Sequence, residues 1–335
     1  MLYPLELDPI LKDKVWGGRR LARLGKSLPE GAMVGESWEL ADLRSTSPEG
    51  GGGEAAHSII AHGEMRGLSL DQAITALGVN LMGSLRLSPE GGFPLLVKFL
   101  DARQNLSVQV HPSPAYAATN PGAHLKTESW YVIDAEPGAV IYKGVRQGVT
   151  RERLATAIRD GTVPDLLVSA PVKAGDFHHL PTGTCHALGA GVLVAEIQTP
   201  SDTTFRLFDW GRKGRALHVQ QALECITFGP PARVSAIRSD GSERFRLIET
   251  PAYTIDELSV LGDSRIAVEN IPSPPVGGPM VWMCLSGQGR LESESSAFQP
   301  VEFSAGRTIL FPAALGPTAA VIARDSKILE VRFPV

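Results

Sequence analysis

The chain predicts a mainly β protein, and three observations carry that expectation. Glycine and proline are abundant, 35 and 25 of 335 residues. That favours many turns and short strands over long helices. Apolar runs of strand length recur from end to end, with no heptads and no solenoid period. One element is also written twice. Gly175 to Pro181 and Gly306 to Pro312 share a Gly, five intervening residues and a Pro, and each is followed by a strand with an embedded Glu, Glu196 and Glu330. Two copies of one β-barrel unit explain the echo, although turn chemistry alone also produces such spacing.

The elements follow in order. LEL and SWEL, near the N-terminus, alternate as strands, with WGG and LPEG as breaks. Residues 46–57 read as an exposed glycine-rich connection. Its glycines lack the following helix and Lys-Ser/Thr of a phosphate loop. SLDQAITALGVNLMGSL begins with a Ser69 cap and carries helical apolar spacing, which predicts a packing helix or helix pair. From Phe93 strands take over: PLLVKFL, NLSVQVH, SWYVI and AVIYKG. Thr150 caps a helix with Leu154, Ala157 and Ile158 on one face; Gly161 and Pro164 end it. Strands resume with VKAGDFHHLP, HALGAGVLVAEIQ and TTFRLFDW, then ALHVQQALECI reads as a short helix. Strand after strand follows to the end, from FRLIET to KILEVRF. The pattern divides into 1–92, strands and helices packing on a first barrel; 93–215, that barrel with a helical insertion at about 149–168; and 216–335, a linker helix and a second, metal-free barrel.

Bulk properties exclude several roles. With 36 acids against 32 bases, the net charge of −4 gives no basis for nucleic acid or an anionic membrane as partner. Recognition of an anion must then come from a few local Lys and Arg. Cys185, Cys225 and Cys284 have no CxxC spacing and read as reduced thiols. The N-terminus has no secretory apolar core, and no stretch approaches the roughly 18 apolar residues of a membrane span. A cytoplasmic protein is expected, as a monomer or weak homodimer.

One constellation carries chemistry. Gln109 and His111 are two apart in the strand LSVQVH and so share a face. Glu128 opens another strand and His186 a third. A Gln, a carboxylate and two imidazoles converging from three strands would bind one divalent metal and leave open positions, the mark of a catalytic site. Zinc suits the set, with manganese, iron or cobalt as substitutes. Each His has a bland alternative as a hydrogen-bonded core residue, but a buried Glu and Gln would be costly without partners. His178 and His179 read as surface or supporting imidazoles. Arg206 and Lys98 are charges in apolar strands; an inward Arg needs an anion, and the alternatives are a salt bridge to Glu196 or Asp202 and an edge-strand Lys. Trp16 and Trp38 read as packing residues rather than pocket walls.

Gly175-x5-Pro181-x-Gly183-x2-His186 resembles the second motif of the cupins, double-sheet (jelly-roll-like) β-barrels. The first motif departs from the usual cupin form, since Gln109 replaces a His and Glu128 lies further along. FPLLVKFLDARQNLSVQVHP, HLKTESWYVI, PTGTCHALGAG and AEIQTPSDTTFRLFDWGR resemble the type I mannose-6-phosphate isomerases in their short bacterial form. The resemblance covers most of residues 1–215, and the C-terminal part fits as a generic second cupin. It implies a zinc-dependent aldose–ketose isomerase that interconverts mannose 6-phosphate and fructose 6-phosphate through a cis-enediol. It places the zinc ligands on Gln109, His111, Glu128 and His186, and catalytic roles on Arg206, Lys126 and Glu196. Ser107 and Lys98 fall on sugar-phosphate positions, and His124 stands one residue from a family pocket position. The base remains open among Glu196, His124 and a water on the metal. The alternatives are a cupin isomerase for another or unphosphorylated sugar, and a non-catalytic metal- or sugar-binding cupin.

Overall fold

The alternating runs form strands, and their inward residues define the layers. The structure is a computed structural model that describes residues 2–44, 56–230, 243–268 and 277–334. Of the glycine-rich connection, only Ala56 and His57 lie within the described residues, as a short strand paired to Asp42–Leu43.

The first barrel is two facing sheets. Six strands run in the order Phe177–Leu180, Glu128–Ala135, Val192–Gln198, Leu96–Ala102, Val34–Leu40 and Ile10–Gly18. Five run in the order Leu167–Pro171, Val140–Val145, His186–Leu188, Val108–Val110 and Phe205–Phe208. Between them lies a core of Trp16, Leu100, Trp130, Ile141, Leu188 and Val194. HALGAGVLVAEIQ is therefore two strands, not one. Its first part enters the five-stranded sheet and Val192–Gln198 the six-stranded one.

Each outer face is covered, because each carries apolar residues at alternate positions. The five-stranded sheet is roofed by helix Arg151–Asp160 and helix Val219–Cys225. Leu154, Ala157, Ala222 and Leu223 from these helices pack on Val108, Val110, Phe205 and Leu207. Thr150 caps the first helix, its side chain accepting from the Arg153 N–H, and Gly161 ends it in the left-handed conformation. The six-stranded sheet presents Val97, Phe99, Tyr131, Ala195 and Ile197 to the C-terminal half, where Tyr253, Trp282 and Leu329 belong to the same core.

That half is a nine-stranded sheet built on two long strands, Met280–Ser293 and Thr318–Arg332, which pair along most of their length. Leu5–Asp8 pairs with Thr308–Phe311 and with Ile59–Ile60, so the N-terminal segment is divided between the two halves. A buried ion pair ties the division together. Lys26 Nζ lies 2.6 Å from Glu39 Oε2 and donates to the Gly306 carbonyl at 2.5 Å. Gly306 has φ +83, and a Cβ there would stand 1.9 Å from the Leu24 oxygen, so both backbone conformation and space require glycine.

Candidate active site

Strand register brings the expected metal ligands together. Gln109 sits between His186 on one neighbouring strand and Arg206 on the other. Glu128 faces them from the opposite sheet. His111, Glu128 and His186 are all buried, and their ligand atoms lie within 4.8 Å of one another. Glu128 Oε2 is 3.2 Å from His111 Nε2, and Oε1 is 3.0 Å from His186 Nε2. Gln109 Nε2 is 3.3 Å from His186 Nε2.

Both imidazoles are oriented from behind. His111 Nδ1 is 3.0 Å from the Thr203 carbonyl and His186 Nδ1 is 2.8 Å from the Thr184 carbonyl. A carbonyl only accepts, so each Nδ1 carries a proton, and the neutral tautomer of each ring would turn an Nε2 lone pair to the centre. Burial, with Lys126 alongside, pushes His111 down to about 3. Burial raises Glu128, but Lys126 and the two histidines outweigh it and hold the carboxyl well below its usual range. Glu128 Oε1 is buried without a well-aligned hydrogen bond. Two imidazoles backed by carbonyls, an ionised carboxylate and a buried carboxylate oxygen without a well-aligned hydrogen bond fit a divalent metal.

Beside this centre opens a cavity of about 180 Å³. Ser107, Gln109, Lys98, Lys126, Glu196 and Arg206 are among the residues that line it. Lys126 Nζ sits 2.8 Å from Glu128 Oε2. Burial disfavours its charge, yet Glu128 and Glu196 outweigh burial and raise its pKa. Glu196 accepts from Trp130 Nε1 at 2.9 Å and from Lys98 Nζ at 3.1 Å. Arg206 Nη1 donates to the Ala216 carbonyl at 2.8 Å, while its buried Nε has no hydrogen-bond partner. Ser107 Oγ is 3.4 Å from Gln109 Oε1.

Some placements differ from the reading of the sequence. His124 does not line this cavity; it lines two neighbouring pockets, with Nδ1 3.5 Å from Glu90. Trp16 and Trp38 are buried as packing residues and are also walls of the cavity. Lys12, Lys14, Glu36, Asp202, Thr204 and Arg215, which the sequence does not mark as site residues, also line the cavity. Glu36 accepts from Trp38 Nε1 at 2.7 Å and pairs with Lys14 at 3.3 Å. Burial raises it, but Lys14 and Lys98 prevail and bring it to about 2. Lys12 and Lys98 each place an ammonium 5.1 Å from the Trp38 ring centroid. Only the alternation of VGESWEL and the spacing of Lys12, Lys14 and Trp16 hint at these roles, because such spacing shares one strand face.

A double-sheet barrel with a His–His–Glu centre at a cation-rich mouth defines a cupin metalloenzyme. The chain belongs to the type I phosphomannose isomerase family. The model of the family's catalytic domain matches residues 5–141. The mannose-6-phosphate isomerase of Streptococcus mutans is 37% identical over 299 residues, 87% of each chain. Mannose-6-phosphate isomerase ManA of Bacillus subtilis is 33% identical, covering 93% of this chain and 94% of its own. A crystal structure of the mannose 6-phosphate isomerase from Bacillus subtilis superposes with a TM-score of 0.82 at 26% identity, over 98% of this chain and 99% of that one. A zinc-bound mannose 6-phosphate isomerase at 15% identity shares the fold, with a TM-score of 0.75 over 99% of this chain and 100% of its own.

Proposed function

We propose that the cavity beside His111, Glu128 and His186 interconverts mannose 6-phosphate and fructose 6-phosphate. Family membership makes the chain an aldose–ketose isomerase. The observation that carries the phosphorylated substrate is the charge of the lining. Six cations, Lys12, Lys14, Lys98, Lys126, Arg206 and Arg215, face three carboxylates, Glu36, Glu196 and Asp202. Such a lining suits an anionic sugar better than an unphosphorylated one.

Gln109, His111, Glu128 and His186 would hold the metal, and zinc fits their mixed nitrogen and oxygen donors. Bound there, it would supply Lewis acidity toward a sugar oxygen. The chain's own groups do the rest. Isomerisation moves a proton between C1 and C2, and negative charge grows on the sugar oxygens. Arg206, with a buried Nε still to be satisfied, and Lys126 offer preorganised donors to that charge. Glu196 faces the cavity and His124 does not, which favours Glu196 as the proton carrier. Trp16 and Trp38 give the cavity apolar wall that limits water around these groups.

The test is a coupled assay with mannose 6-phosphate before and after chelation, followed by zinc return. Activity that disappears and comes back with zinc is expected. Full activity in metal-free protein, or no activity with this sugar phosphate while an unphosphorylated sugar turns over, would refute the reading.

A further inference from the structure

Gln198 ends the central strand of the six-stranded sheet. It lies opposite Glu128 on one side and two residues beyond Glu196. Its side chain is fully buried. A primary amide has one acceptor end and one donor end, and here the two ends serve different parts of the site. Oε1 accepts from Lys98 Nζ at 2.8 Å. Nε2 donates to the Thr199 carbonyl at 3.0 Å and the Ser201 carbonyl at 2.7 Å. Reversing the amide would set its NH2 against an ammonium and its oxygen against two carbonyls, so the neighbours fix one orientation.

The two ends lead to different groups. Lys98 lines the cavity. The turn held by Nε2 runs on through Ser201, whose Oγ donates to the His124 carbonyl at 3.1 Å and accepts from the Thr203 N–H at 3.2 Å. The Thr203 carbonyl is the one that orients His111. A continuous set of buried hydrogen bonds therefore joins a cavity-facing ammonium to the backing of a metal ligand.

We propose that Gln198 is a positioning residue that holds Lys98 toward substrate and, through the 199–203 turn, holds His111 toward the metal. This rests on the metal and substrate assigned above. Three variants separate the ends. Gln198→Met removes both. Gln198→Glu keeps an oxygen for Lys98 but turns an acceptor toward the two carbonyls. Ser201→Ala cuts the turn alone.

Zinc affinity is read by competition with a chromophoric chelator, and KM and kcat for mannose 6-phosphate are read at saturating zinc. Loss of backing around a ligand typically weakens metal binding about 10–100-fold. That loss is expected in all three variants. KM should rise about tenfold or more in Gln198→Met, as when a charge-assisted contact is lost, and stay within about threefold of the parent in Ser201→Ala. Unchanged zinc affinity in Gln198→Glu or in Ser201→Ala overturns the proposal, whatever the melting temperature does. Those two variants decide it if Gln198→Met does not fold. An unchanged KM in folded Gln198→Met also overturns it. A parent protein whose zinc affinity survives His111→Ala removes the metal reading itself. Zinc binding that is lost in His111→Ala but intact in the Gln198 variants removes this proposal alone.

Discussion

The two barrels share one strand frame and differ in what fills it. In the first, Trp130, Glu196 and Lys98 lie side by side across three strands. In the second, Trp282, Glu330 and Asp256 lie side by side in the same relation. In both, the indole donates to the glutamate at 2.9 Å. Two residues before each Trp the paths separate. Glu128 opposes Gln198 in the first barrel, and Met280 opposes Arg332 in the second. Glu128 thus has a thioether in its place, and Gln198 a guanidinium. With an Asp where the first barrel has Lys98, the second barrel compensates by arginine. Glu330 accepts from Arg244 at 2.6 Å and from Arg332 at 2.6 Å, and Arg246 pairs with Asp256. A frame that elsewhere surrounds a metal centre is here closed by ion pairs and packing.

The strongest way to break this comparison is at the ligands. His111→Ala combined with His186→Ala should reduce metal to background and abolish turnover while the barrel stays folded. Elemental analysis checks the first and circular dichroism the last. Full occupancy in the double variant would remove the contrast between the barrels.

Arg206 comes next. Arg206→Ala should lower turnover about 10²–10³-fold, with metal content unchanged. Arg206→Lys should recover little, since a point charge does not reproduce a planar fork of donors. Steady-state kinetics beside zinc content decide the matter. Unfolding or metal loss would make the residue structural, and turnover within about threefold of the parent would remove its catalytic role.

Glu330→Ala sharpens the comparison from the other side. Removing one partner from a buried ion cluster costs about 3–5 kcal/mol, reduced here because Arg244 and Arg332 are partly solvated. Turnover and zinc content should stay at parent values. Burial raises the Glu330 carboxyl, but Arg244 and Arg332 outweigh burial and hold it below the ordinary glutamate range. A depressed folded pKa contributes stability that is present above the unfolded value and lost as pH falls through the folded one. The stability gap between parent and variant should therefore shrink on acidification below about pH 4. Denaturant melts across that range read the gap.

The smallest effect is expected at the matched register position. Met280→Leu, a volume-conserving swap, should cost less than about 1.5 kcal/mol and leave metal and turnover unchanged. Glu128→Gln at the corresponding position should weaken metal binding severely. Equal metal binding in both variants would dissolve the distinction.

Much of the centre was legible in the sequence because its chemistry is local. Gln109 and His111 share a strand face by alternation, and Gly175 to His186 is one continuous motif. The echo of Glu196 in Glu330 also holds structurally, with positive φ at both leading glycines, +89 at Gly175 and +83 at Gly306. Lys12, Lys14, Glu36 and Arg215 do not stand out in the sequence as site residues, because charges on alternating strands look the same whether they face water or a cavity. The pairing of Leu5–Asp8 with Thr308–Phe311 was hidden for a related reason. Alternation shows which face of a strand is apolar and says nothing about which distant strand lies beside it.

The central claim is one metal centre in the first barrel and none in the second. Anomalous diffraction at the zinc edge, on crystals of the zinc-loaded protein, tests it most directly. The expected map has a single strong peak within bonding distance of His111 Nε2, Glu128 and His186 Nε2. A well-occupied peak coordinated from residues 243–334, or none beside His111 in active protein, would contradict the account.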